Sequence, residues 1–121
     1  MKICITSSGQ SVEDAIDPRF GRCQYFILVD TESMQLEAIQ NPAISAGGGA
    51  GIQAAQLVAE KGAEVVLTGN VGPNAFETLH AAGIDVITGV RGAVSDAIES
   101  FKRGSLKPVQ GPTVSSKSGL S

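Results

Sequence analysis

Short apolar runs alternate with polar, glycine-rich breaks along the chain, and the period of each run predicts an element. Lys2-Ile3-Cys4-Ile5-Thr6 is a β-rich run closed by the turn signal Ser7-Ser8-Gly9. A polar stretch over residues 10–22 separates it from Tyr25-Phe26-Ile27-Leu28-Val29, whose unbroken apolar character suits a strand buried on both faces. Beyond the turn at 30–33, the segment 34–40 sets Leu36 and Ala38 against Gln35 and Glu37. That alternation fits a strand with one wet face near the edge of a sheet.

A loop over 41–51 follows, ending in Gly47-Gly48-Gly49-Ala50-Gly51, where a helix should begin. At about 100° per residue, Ile52, Ala54, Ala55, Val58 and Ala59 share one arc while Gln53, Gln56 and Glu60 gather on the other. Lys61 and Gly62 close this helix with a cation and a residue suited to a left-handed cap. Glu64-Val65-Val66-Leu67-Thr68 is the next strand, and Gly69-Asn70-Val71-Gly72-Pro73 turns it into a helix with Pro73 at the first position. Phe76 and Leu79 share its inner face, and Gly83 ends it. Residues 84–87 make a short strand. Thr88-Gly89-Val90-Arg91-Gly92 then leads to a last helix with Val94, Ala97, Ile98 and Phe101 inward, closed by Lys102-Arg103-Gly104. From Ser105 on, Ser, Pro, Gly and Lys dominate and periodicity is lost, so 1–107 reads as one domain and 108–121 as a flexible C-terminal tail.

The order β-β-β-α-β-α-β-α predicts a mixed five-stranded α/β sheet with helices on both faces. Loops 7–23, 41–51, 69–73 and 88–92 then meet at one edge, beyond the carboxyl ends of the parallel strands, where open α/β sheets bind ligands.

Composition narrows the guest. The 121 residues carry a net charge of −3, with four Phe, one Tyr and no Trp. Neither the charge nor the scarcity of aromatic rings suits a nucleic-acid surface. The apolar runs fall far short of the roughly 20 residues of a membrane span. Met1 to Thr6 shows no signal-peptide layout, which with two cysteines, Cys4 and Cys23, reads as reduced thiols in the cytoplasm.

Gly47, Gly48, Gly49 and Gly51 at a helix start offer backbone N–H groups and the positive end of a helix dipole to an anion, or else form a plain flexible loop. Gly69, Asn70 and Gly72 form a second such turn at the same edge, or a tight turn only. Arg19 and Arg22 flank Phe20 and Gly21 in the first loop. Guanidinium groups recognise anions and should ease ionisation of the neighbouring Cys23 thiol, making it a candidate metal ligand, the alternative being a small buried residue starting a strand. Cys4, inside a strand, reads as core. His80, the single histidine, reads as a surface residue late in its helix, and with no acid–base set assembled around it a non-enzymatic role is expected.

Phe20-Gly21-Arg22, Asn41-Pro42, the run Gly47 to Gly51, the turn Gly69-Asn70-Val71-Gly72-Pro73 and Gly83-Ile84 stand in an order that resembles the dinitrogenase iron–molybdenum cofactor biosynthesis family, over about residues 1–107. The resemblance implies a three-layer α/β fold of the ribonuclease H-like kind. It also implies a carrier for an anionic metal–sulfur cluster, the iron–molybdenum cofactor or its iron–sulfur precursor, with a cluster donor or acceptor protein as partner. Several cofactor-binding members place a His before Phe-Gly, where this chain has Arg19, which offers charge and hydrogen bonds and no metal bond. Cys23 is then the remaining soft ligand. A metal-free interaction domain of the same fold, and a small enzyme acting on a phosphorylated metabolite, are the alternative readings.

Overall fold

In the computed structural model, which describes residues 1–44 and 48–114, five strands and three helices follow the expected order. They are β1 (Lys2–Ser7), β2 (Tyr25–Asp30), β3 (Leu36–Gln40), α1 (Ala50–Glu60), β4 (Val65–Leu67), α2 (Pro73–Ala81), β5 (Asp85–Ile87) and α3 (Val94–Lys102). The sheet order is β3-β2-β1-β4-β5. β1 is antiparallel to β2 and parallel to β4, β2 is antiparallel to β3, and β4 is parallel to β5. β1, β3, β4 and β5 therefore point the same way, and their carboxyl ends share one edge.

The strand period of two sorts the core into two halves. Ile3, Ile5, Ile27, Val29, Val65, Leu67 and Ile87 meet Val94, Ala97 and Ile98 of α3 on one face. Cys4, Phe26, Leu28, Val66 and Val86 meet Ala54, Ala55 and Val58 of α1 and Ala75 and Leu79 of α2 on the other. The small residues of α1 bring its axis close to the sheet, and each large buried aliphatic contributes about 1.5–3 kcal/mol of transfer free energy. This is the three-layer, ribonuclease H-like α/β arrangement. Helix ends follow the sequence signals: Pro73 opens α2, and Gly62, Gly83 and Gly104 adopt φ of 82°, 77° and 74° just beyond α1, α2 and α3.

Two features depart from the periodicity. β3 is the outermost strand, as expected, but its apolar face is the uncovered one: Leu36 is 51% exposed, Ala38 is exposed too, and Ile39 packs on the core instead. Among the described residues α3 is the one helix on that face, and Leu36 meets it only across an open groove shared with Val12, Met34, Ser95, Ile98 and Glu99. The segment after α3 also behaves differently from a free tail over 106–114. Leu106 packs against the α3 side and Val109 against the opposite core. The Val109 amide donates to the Val86 carbonyl at 2.8 Å, and Thr113 and Val114 both reach Val71. Loss of periodicity removed the helix and strand signals, but extended chain still pairs with the outward-facing carbonyl of an edge strand.

Candidate functional site

The edge is assembled around the first loop. β1 ends in Thr6 and Ser7, both buried, and the loop folds back on them: Ser7 bridges Ile16, and the Asp17 amide donates to the Thr6 carbonyl at 3.0 Å. The Thr6 hydroxyl donates to the Asp17 carbonyl at 2.7 Å and lies 2.8 Å from Thr68 Oγ1 at the end of β4. Ala15 bridges Ala93, so the start of α3 is tied in as well. The polar composition of 10–22 gave no strand signal. These pairings are nevertheless β-like, since buried backbone groups must find partners.

From there the loop reaches both ways. Towards β4, Arg19 forms a parallel bridge with Asn70, whose amide donates to the Pro18 carbonyl at 2.8 Å, while the Phe20 amide donates to the Asn70 carbonyl at 3.3 Å. Gly69 makes that contact possible, because a Cβ there would lie 2.6 Å from Pro18 Cα. Towards β3, one Arg22 guanidinium nitrogen donates to the Ile44 carbonyl at 3.0 Å. The buried Asn41 amide donates to the Gly21 and Cys23 carbonyls at 3.1 and 3.0 Å, and its Oδ1 accepts from the Ala43 amide. Asn41 was part of a sequence motif without a role, and the structure makes it the cross-brace of the edge.

The residues expected at the site therefore separate. Arg19 is exposed, with its backbone and Nε both against Asp17 Oδ1, at 3.0 and 3.5 Å. Asn70, Gly48 and Gly49 are exposed too, and Gly49 caps α1 at φ 75° with no side-chain cap hydrogen bond among the described residues and nothing within 4 Å of a Cβ. Gly47 lies outside the described residues. Phe20 is core, 1% exposed with its ring 5.8 Å from that of Phe26. Gly21, Gly51 and Gly72 are buried, Arg22 is a half-buried strap, and Gly69 is a packing glycine. Cys23 departs most from expectation. Its side chain is fully buried, its thiol donates to the Phe20 carbonyl at 3.3 Å, and burial, reinforced by Cys4 and Asp17, pushes the thiol well above its usual range. Desolvation outweighs any help from the arginines, so this thiol stays neutral. Cys4 is raised by burial in the same way, as a core residue should be. His80 is exposed and stacks on Phe76 at 5.7 Å, on α2.

Beside Asn70 the edge opens into a cavity of about 300 Å3 lined by Pro18, Gly69, Asn70, Gly89, Val90 and Arg91. The Gly89 and Val90 amides donate to the Gly69 and Thr68 carbonyls, at 2.8 and 3.2 Å, which places the β5–α3 loop against the β4–α2 turn. Pro18, Gly89, Val90 and Arg91 were missed as site residues. The one available signal was an arginine between two glycines in a loop already assigned to this edge.

Arg19, Arg91 and Asn70 thus bring guanidinium groups and one side-chain amide to the edge, while the Asn70, Gly89 and Val90 backbone amides are held by carbonyls of the protein. Among the described residues no three His, Cys, Asp or Glu side chains gather to hold a metal ion. Guanidinium groups and amides are the residue chemistry that recognises anions. Among the described residues, too, no helix is long and apolar enough to cross a membrane.

A three-layer α/β domain whose loops gather at the carboxyl ends of its parallel strands is the class that fold and topology define. The sequence matches the dinitrogenase iron–molybdenum cofactor family over residues 1–104, and the chain belongs to that family. It is similar to the orange protein of Desulfovibrio gigas, solved in its apo form, with 41% identity, a TM-score of 0.91 and coverage of 93% of this chain and 96% of that one. A NifB-like protein from Thermotoga is 38% identical, with a TM-score of 0.82 over 93% and 97% of the two chains. An uncharacterised protein of Methanocaldococcus jannaschii is 32% identical over 95 residues, 76% of this chain and 80% of that protein.

Proposed function

We propose that the chain binds and carries an anionic metal–sulfur cluster, of the iron–molybdenum cofactor or precursor type, between a cluster donor and an acceptor protein. The observation that supports this reading is the cavity at the strand ends, where Arg91 and Asn70 line the wall and Arg19 is bridged to Asn70. Similarity to a protein solved as an apo form agrees with a removable guest. Arg19, Asn70 and Arg91 contact the cargo, with Gly48 and Gly49 beyond them. Phe20, Gly21, Arg22, Gly51, Gly69 and Gly72 hold those groups in position, and Gly47 belongs to the same glycine run. The cargo is held by its charge, so Cys23 takes no part in ligation.

Anaerobic titration with isolated iron–molybdenum cofactor, followed by gel filtration and metal analysis, tests this. Metal and colour co-eluting with the protein in equimolar amount, lost in the Arg19→Gln, Arg91→Gln double variant and kept in Cys23→Ser, are the expected result. A protein that elutes colourless and metal-free sinks the carrier reading. The burial of both thiols favours one second reading, a metal-free domain that docks a partner through this edge. Binding of that partner after rigorous metal removal distinguishes it.

A further inference from the structure

The two outer strands of the sheet differ in what lies beside them. At β5 the outward carbonyl of Val86 accepts from the Val109 amide at 2.8 Å, and Leu106 and Val109 pack on opposite faces of the sheet. Among the described residues nothing pairs with the outward side of β3. Two bonds fix which of its backbone groups face that way. The Gln35 carbonyl accepts from the Asp30 amide at 3.0 Å, and the Asn41 amide donates to the Gln24 carbonyl at 3.0 Å, so Gln35 and Asn41 both point at β2. In the antiparallel register that pairs Leu36 with Val29 and Gln40 with Tyr25, the alternation between those ends turns Glu37 and Ile39 towards β2. Leu36, Ala38 and Gln40 present their N–H and C=O groups outward, and all three residues are exposed.

The devices that usually blunt a free edge are absent. Leu36–Gln40 contains no Pro, Gly or Lys, and its single charge, Glu37, is ion-paired to Lys61 of the same chain at 3.9 Å. Apolar surface accompanies the edge: Leu36 is 51% exposed, Met34 beside it is 40% exposed, and both line the groove against Val12 and Ile98.

We propose that β3 is the contact between two copies of this chain, paired antiparallel about a two-fold axis at Ala38 into one continuous sheet. Ala38 then faces its own counterpart and Leu36 faces the second copy's Gln40, each pair exchanging both N–H···O bonds. The strand is self-complementary in this register. Its smallest side chain sits on the axis, where a residue must meet itself, and the Leu36 side chain lies beside the Gln40 stem and the second copy's Ala38. Each Glu37 brings its own counter-ion, so no uncompensated like charges meet. The assembly closes as a dimer, because β3 of one copy cannot pair with β5 of the next while Val109 holds Val86. Antiparallel pairing puts the two loop edges at opposite ends of the joined sheet, where neither covers the other, so the contact does not rest on the cargo reading.

Sedimentation velocity of the full chain over a concentration series, combined with amide hydrogen exchange, tests it. A monomer–dimer equilibrium is expected, with exchange at Leu36, Ala38 and Gln40 slowing as the concentration rises. The Glu37 and Ile39 amides, bonded to β2, should exchange slowly at every concentration. Ala38→Pro removes an outward N–H and leaves the bonds to β2 in place. With a donor lost from each copy, it should raise the dimer dissociation constant roughly 10- to 100-fold. Leu36→Lys, which adds a charge to the edge and leaves the backbone intact, should act in the same direction. Circular dichroism and thermal unfolding of the dilute variants, matching those of the dilute full chain, separate loss of pairing from loss of fold. If Ala38→Pro fails to fold, Leu36→Lys decides. A full chain that is monomeric at every concentration overturns the proposal. So does a dimer that the folded variants keep, or one in which the three outward amides exchange as fast as in dilute protein. Species larger than a dimer overturn the closure assigned to the covered β5 edge.

Discussion

At the β4–α2 turn, a Cβ on Gly69 would sit 2.6 Å from Pro18 Cα and 2.9 Å from the Pro18 carbonyl oxygen, whereas a Cβ on Gly48 or Gly49 at the start of α1 meets nothing within 4 Å. Both turns are glycine-rich, both enter a helix and both lie at the same edge. They use glycine for different ends. Gly69 lets two backbones approach, so that the Asn70 amide can reach the Pro18 carbonyl and fix the first loop. Gly49 supplies a left-handed φ of 75° in an exposed position. One turn is a joint of the scaffold and the other is open surface, so equal substitutions should have unequal consequences.

The largest effect is expected on the joint. Gly69→Ala forces backbone against backbone and should cost about 3 kcal/mol in denaturant unfolding, and a loss below half a kcal/mol would mean that the joint gives way freely. Asn41→Ala, at the brace on the other side of the same loop, strands two buried carbonyls and one amide. A loss of about 2–3 kcal/mol is expected, with thermal unfolding as the check. The thiols behind the loop offer a pH test. Folding raises both, so the unfolded chain sheds protons above about pH 8.5 that the folded chain keeps. Stability should be flat through neutral pH, as far as the thiols govern it, and then fall by about 1.4 kcal/mol per pH unit for each thiol; Cys23→Ala should halve that slope. Thiol labelling should be slow in the native protein and fast after unfolding.

At the open turn the effects shrink. Gly49→Ala pays only for the left-handed conformation, about 1 kcal/mol. Gly48→Ala should change stability by less than about 0.5 kcal/mol, in unfolding curves measured side by side with the others. If Gly48→Ala proved as costly as Gly69→Ala, the distinction between joint and open surface would be wrong.

The sequence itself determined the elements, because their causes are local. The periods of the apolar runs, Pro73 at a helix start, and Gly62, Gly83 and Gly104 after helix ends act over a turn or two of chain, and the sheet followed from their order. It also placed the first loop, the β4–α2 turn and the β5–α3 loop at one edge, where backbone pairing joins them. Only the tertiary structure decided what each site residue does, since burial and close approach join residues far apart in the chain. Arg22 meets Ile44, Gly69 meets Pro18, and Asn41 braces Gly21 and Cys23 across the loop. Cys23 stands one residue from Arg22, which suggests an ionised thiol, yet its state is fixed by the core that closes over it. The return of Thr113 to Val71 spans 42 residues and rests on several hydrogen bonds, for which an extended segment carries no periodic signal.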